Sequence, residues 1–188
     1  MATDENDRRL AAPGELELVR DFVNTHDLEK KTDRIGEAGR LSTWLFEHGL
    51  VPAPPTLTED DVARARRLRE TLRTMLLANA GFPLDSEATK TFDRAVASVR
   101  LRVQIDHTNR LALLPAADGL DHAIGILLST VIAAQENGTW DRLKACAECH
   151  WALYDRTRNR SATWCDQAKC GTRIRSRRYR GRRREASA

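Results

Sequence analysis

Cys146, Cys149, Cys165 and Cys170 are the only cysteines among 188 residues, and they form the pattern C-x2-C-x15-C-x4-C. Two close thiol pairs, separated by a loop long enough for a hairpin, make the tetrahedral sulfur shell that zinc favours. Four thiolates close the shell and leave no position for water or substrate, so the metal this spacing predicts is a single structural Zn2+ rather than a catalytic one. Cys146-Ala147-Glu148-Cys149-His150 also spells the C-x-x-C-H attachment motif of c-type haem. Haem leaves Cys165 and Cys170 unexplained, and the only methionines, Met1 and Met75, are a poor choice of axial sulfur. Zinc accounts for all four cysteines.

Directly after Cys170 the chain runs Gly171-Thr172-Arg173-Ile174-Arg175-Ser176-Arg177-Arg178-Tyr179-Arg180, with Arg182 to Arg184 beyond Gly181. At helical spacing Arg173, Arg177, Arg180 and Arg184 share one side, and Arg175, Arg178 and Arg182 another. Arginine clamps phosphate bidentately and reads guanine in the major groove. A metal-stapled knuckle running into such a helix predicts a polyanion grip, with Arg182 to Arg184 adding only general attraction.

The charge distribution agrees. The net charge is +4, yet residues 1–140 hold 17 Lys/Arg against 22 Asp/Glu, and residues 141–188 hold 14 against 5. An acidic body with a basic end points to nucleic-acid binding by that end. The polar, acidic start Met1-Ala2-Thr3-Asp4-Glu5-Asn6-Asp7 lacks the features of a signal peptide. The most apolar run, Ala123 to Ala134, is far short of the ~20 residues that span a bilayer. A soluble, cytoplasmic protein without membrane partners is expected, and in a reducing compartment close cysteine pairs are metal ligands rather than disulfides.

The elements that must position the cysteines are mostly helical. Glu15 to Leu28 places Leu16, Val19, Phe22 and Val23 on one helix face, and Leu41, Trp44 and Leu45 mark a second helix closed by Gly49. Val51 to Pro55 is a rigid connector. Thr58 and Asp61 suit a capping box opening a helix with the stripe Val62, Ala65, Leu68, Leu72, Met75 and Leu76. Arg64, Arg66, Arg67, Arg69 and Arg73 read as the solvated face of that helix. Asp85 to Arg100 repeats the helical pattern. Leu101 to Ile105 and Leu111 to Leu114 alternate around Asp106-His107-Thr108-Asn109 as a β-hairpin, and Leu120 to Ala134 reads as the central buried helix. In the last module, Trp151 to Tyr154 is an expected strand paired with Ser161 to Trp164 across the turn Arg156 to Arg160. The fold class is therefore mostly α with some β (α+β): a helical domain with one hairpin over 1–139, then a small treble-clef-like finger over 140–188. A chain ending near Asn137 is expected to stay folded.

Trp164-Cys165, Cys170-Gly171-Thr172-Arg173 and the upstream Asp155-Arg156-Thr157-Arg158-Asn159-Arg160 resemble the CGNR zinc finger family, with Thr172 where that family has asparagine. Leu18-Val19-Arg20-Asp21-Phe22-Val23-Asn24-Thr25, followed by Leu41, Trp44, Leu45, Gly49 and Leu50, is similar to the opening of the ABATE domain that commonly precedes this finger. The resemblance implies a stress-induced transcription regulator that binds DNA through basic residues. The expected contacts to duplex DNA are Arg156, Arg158, Arg160, Thr172, Arg173, Arg175, Arg177, Arg178 and Arg180.

A regulator needs an input. Asp21, Asn24, Thr25 and His26, beside Trp44, form a polar cluster at the end of an apolar helix; a small-molecule effector pocket and plain buried hydrogen bonding both explain it. No Ser/His/Asp spacing or phosphate loop supports an enzyme. An RNA-binding accessory protein, an enzyme anchored by the finger, and a redox switch are the competing readings. A homodimer is compatible with the sequence, which does not name operator or effector.

Overall fold

The computed structural model describes residues 7–84, 86–105 and 109–185, the side chains at 178, 181, 182, 184 and 185 lying outside that set. It is a mixed α+β fold of six long helices and three two-stranded antiparallel sheets among the described residues. Helix α1, Leu16–Val23, buries Leu16, Val19, Phe22 and Val23. It stops five residues before the expected end. The Thr25 hydroxyl donates to the Phe22 carbonyl at 2.7 Å, and the Asp27 carboxylate accepts from the backbone N–H groups of Glu29 and Lys30. These local bonds give the backbone an alternative to continued helix. They set up β1, His26–Asp27, against β2, Thr32–Asp33.

Helix α2, Ala38–Glu47, ends before Gly49, whose φ of +66° suits glycine. Helix α3, Glu59–Asn79, opens on a reciprocal capping box between Thr58 and Asp61. Helix α4, Ser86–Val96, leans on α3 through buried Ala95. The hairpin of β3, Leu101–Ile105, and β4, Leu111–Pro115, pairs Leu101 with Pro115; its expected turn residues 106–108 lie outside the described set, and Asn109 has φ +62°. Helix α5, Gly119–Glu136, meets this hairpin at Gly125, where a Cβ would stand 2.9 Å from that of Pro115. Glycine is what allows the approach.

One expectation about α3 is wrong. Arg66 and Arg67 are exposed, but Arg69 and Arg73 keep only 1% and 4% of their surface, and Arg64 is half-buried against Asp121 and the Ala95 carbonyl. Arg69 forms a two-pronged pair with Asp33 at 2.7 and 2.9 Å and also donates to the Thr25 hydroxyl. A buried guanidinium needs such a full set of acceptors. Asp33 of β2 and Thr25 lie 36 and 44 residues away in sequence, so amphipathic spacing could not announce them.

The last module opens with a short 3-10 turn, Trp140–Arg142, then β5, Leu143–Ala145, and β6, Ala152–Tyr154. The partner of β6 is β5, not Ser161 to Trp164, which contributes one backbone bond, Ala147 N–H to Thr163 O, at 3.0 Å. The β5–β6 sheet has two different faces. Leu143, Ala145, Ala152 and Tyr154 belong to the main core with α1, α3 and α5, whereas Leu153 packs with the cysteines. Alternation along a strand makes this sheet a wall shared by both cores. No helix among the described residues is long and apolar enough to cross a membrane.

Candidate metal centre

The knuckle carrying the first cysteine pair is the tip of the β5–β6 hairpin. The Cys146 N–H donates to the Trp151 carbonyl and the His150 N–H to the Cys146 carbonyl, both at 2.9 Å. His150 takes φ +60°, an uncommon conformation for a non-glycine residue. Its carbonyl accepts at 2.7 Å from Arg73, whose other guanidinium nitrogen reaches Val23 O and His26 O at 2.7 and 3.0 Å. Arg73 thus joins the end of α1 to the knuckle.

The second pair is positioned by local capping. Asp166 accepts from the N–H groups of Ala168 and Lys169 at 2.8 and 3.0 Å and opens a wide helical turn, Gln167–Gly171. Cys170 sits in this turn, just ahead of helix α6, Thr172–Glu185, rather than inside that helix. Gly171 packs closely there: a Cβ would stand 3.1 Å from the carboxamide of the exposed Gln167 side chain, which would have to shift by a few tenths of an ångström.

The four sulfurs come together within 4.8 Å of one another. Cys149 and Cys165 are 3.4 Å apart, and Cys165 and Cys170 3.7 Å. A tetrahedron built on ~2.3 Å zinc–sulfur bonds has edges of about 3.8 Å, so the donor set fits one zinc ion. The thiols also need a cation to ionise together. Hydrogen bonding to the Cys146 sulfur, then burial, pushes the Cys149 and Cys165 thiols well up, while Cys146, accepting from both, is pulled down. Leu10, Leu153, Trp151 and Trp164 shield the cluster.

Asp155, which spacing did not single out, organises the loop between the pairs. It is fully buried and accepts from Lys144 Nζ at 2.9 Å, from the Thr157 N–H and hydroxyl at 2.9 and 2.7 Å, and from the Ala162 N–H at 2.9 Å. Burial opposes its charge, but the bonds from Thr157 and Lys144 hold its carboxyl below the usual range. The Asp155-x-Thr157 pattern is a visible Asx-turn signal; Lys144 carries none.

The expected DNA-contact residues divide. Arg156 donates to the Ala11 carbonyl and covers the Tyr154 ring, and Arg160 reaches Asp141, while Arg158 is exposed. On α6, Arg173 pairs with Glu29 at 2.5 Å and Arg177 grips Glu148 at 2.8 and 3.2 Å. Thr172, Arg175 and Arg180 line an open side of the helix, and the Arg178 side chain lies outside the described residues.

The model of the family described as "Putative stress-induced transcription regulator" (ABATE) matches residues 16–148, and that of the CGNR zinc finger matches 142–183. The chain belongs to the ABATE family. It carries a CGNR zinc finger after the ABATE region, and its four cysteines are positioned to bind one metal ion. Both family descriptions are of regulator and zinc-finger types. No curated protein matches the chain.

The polar cluster at the end of α1, for which an effector pocket and buried hydrogen bonding were both open, is engaged by the protein itself. The Asn24 amide donates to the Ala152 carbonyl at 3.0 Å and accepts the Ala152 N–H at 2.8 Å. His26 Nδ1 lies 3.0 Å from Glu70, and Asp21 lies 3.3 Å from Arg20. Burial raises the Asp21 carboxyl. Trp44 packs on Phe22 and His48 and borders a surface cleft with Arg34, Arg40 and Thr43. Arg9, ahead of the ABATE region, donates to the Cys165 carbonyl, and Asn79 of α3 donates to the Trp140 and Leu143 carbonyls at the start of the last module.

Proposed function

We propose that this protein is a transcription regulator that binds duplex DNA through its zinc-stapled finger, with α6 as the contacting element. The observation that carries the reading is the placement of the arginines. They lie on a 14-residue helix rooted at the last metal ligand, while the rest of the chain is net acidic. A helix of this width fits the major groove, and arginine supplies both phosphate and base contacts. The metal fixes the root of the helix, which reduces the conformational entropy lost when the helix docks.

The test is equilibrium binding of the zinc-loaded protein to labelled duplex DNA across a salt series, with structured RNA competing at matched salt. Log affinity should fall linearly with log salt, by about 0.9 per phosphate neutralised. Duplex DNA should outcompete RNA. Stronger competition by RNA, or no salt-dependent binding, refutes the reading.

A further inference from the structure

We propose that α6 meets duplex DNA with the face formed by Thr172, Arg175, Ser176, Tyr179 and Arg180, and that Arg173 and Arg177 are positioning residues that brace the helix instead of reading DNA. The proposal deepens the DNA-binding reading and rests on it. At 100° per residue, Thr172, Ser176 and Tyr179 fall along one stripe, flanked by Arg175 on one side and Arg180 on the other. These five residues line a shallow hollow of about 380 Å³ on the helix surface. Tyr179 exposes 57% of its surface, with the Arg183 guanidinium 5.9 Å above its ring. The bonds seen for Arg175 and Arg180 are to the helix itself, to the Thr172 hydroxyl and the Ser176 carbonyl at 3.3 Å each. These long single bonds, with no carboxylate partner, are readily exchanged for phosphate oxygens.

Arg173 and Arg177, four residues apart, occupy the adjacent stripe and are held from outside the helix. Glu29 comes from the turn between β1 and β2, and Glu148 stands between the first two cysteines. Glu148 exposes only 11% of its side chain and takes both prongs of Arg177. A phosphate approaching this edge would meet two carboxylates and would have to displace them. The open face presents two guanidinium groups, two hydroxyls and a phenol, with no acid lining the hollow. The same pairs tie the pose of α6 to the knuckle and to the β1–β2 turn of the ABATE region.

A charge exchange separates brace from reader. The variants are Arg177→Glu alone, Arg177→Glu with Glu148→Arg, the matching single and double changes at Arg173 and Glu29, and Arg175→Ala and Arg180→Ala. Each is measured as zinc-loaded full-length protein, with zinc content and thermal melting as controls. Arg175→Ala and Arg180→Ala should each weaken duplex binding about 10-fold and lower the salt slope by about one unit, with zinc and melting unchanged. The single Glu variants should bind poorly, and each exchanged pair should return to within about 3-fold of wild type. Exchanged pairs that stay as weak as the single variants, with Arg175→Ala and Arg180→Ala binding normally, overturn the face assignment while leaving DNA binding by the protein intact. Wild-type protein that prefers RNA, or binds neither, overturns the parent reading and the proposed partner with it.

Discussion

Replacing Asn24 with alanine tests whether the ABATE helix and the finger are one folding unit. The Asn24 side chain bonds both to the N–H and to the carbonyl of Ala152, across 128 residues of sequence, with both residues buried. Alanine removes both partners and leaves the two buried peptide groups of Ala152 in β6 unpaired. Each such group costs ~1–3 kcal/mol, so a loss of about 2–6 kcal/mol is expected. That is a large fraction of the ~5–15 kcal/mol that holds an ordinary domain. Aspartate should be no better at neutral pH, because it keeps an acceptor for the N–H but turns a carboxylate oxygen toward the Ala152 carbonyl. Urea unfolding of the zinc-loaded protein, followed by far-ultraviolet circular dichroism, measures the change, and the denaturant slope should stay constant. Zinc transfer to a chromophoric chelator should also speed up, because β6 begins two residues after His150 of the knuckle. A stability within about 0.5 kcal/mol of wild type, with zinc release unaltered, would refute the idea that this amide fastens the finger to α1.

A chain ending at Asn137 should lose cooperative unfolding, reversing the expectation drawn from sequence, because Trp140, Leu143, Ala145, Ala152 and Tyr154 complete the main core; a sharp, wild-type-like melt of that fragment would show that they are dispensable. Elemental analysis should find one zinc per chain, and stripping it should lower the melting temperature of the ABATE helices as well as the finger, since Arg73 and Asn24 couple them; a haem absorbance band or an unchanged melt would contradict this. Burial opposes the Asp33 charge, but the Arg69 pair outweighs it and holds the carboxyl below its unfolded value of 3.8. Its contribution is therefore present above pH ~4 and lost as pH falls through the folded value, and Asp33→Asn should flatten that acid limb of the stability curve. Asp21, raised by burial, has the opposite sign. Its contribution is complete below the unfolded value and lost as pH rises through the folded one, so Asp21→Asn should spare the protein that loss.

What the sequence determined by itself was local. Ligand spacing identified the metal centre because a two-residue gap in the first pair and a helical turn in the second bring the thiols of each pair together without help from elsewhere. The Thr58–Asp61 cap, the stripes of α1 and α3 and the apolar run of α5 were readable because helix periodicity and capping are interactions among near neighbours. The resemblances to ABATE and CGNR rested on similarly contiguous motifs. Tertiary structure decided what depended on distant partners. Ser161 to Trp164 has strand-like composition, yet Leu143–Ala145 already occupies the pairing edge of β6. Arg69 and Arg73 looked solvated because sequence counts charges on a helix, not the Asp33 carboxylate or the His150 carbonyl waiting beneath them. Asn24 could be read either as a ligand contact or as a structural hydrogen-bonding residue, because an amide at a helix end has no marked partner until β6 is in place. Arg173 and Arg175 are the same residue type two positions apart, and only the arrival of Glu29 beside one of them gives the two different surroundings. Local order follows from backbone geometry, but a buried charge or amide is defined by whichever group the fold sets opposite it.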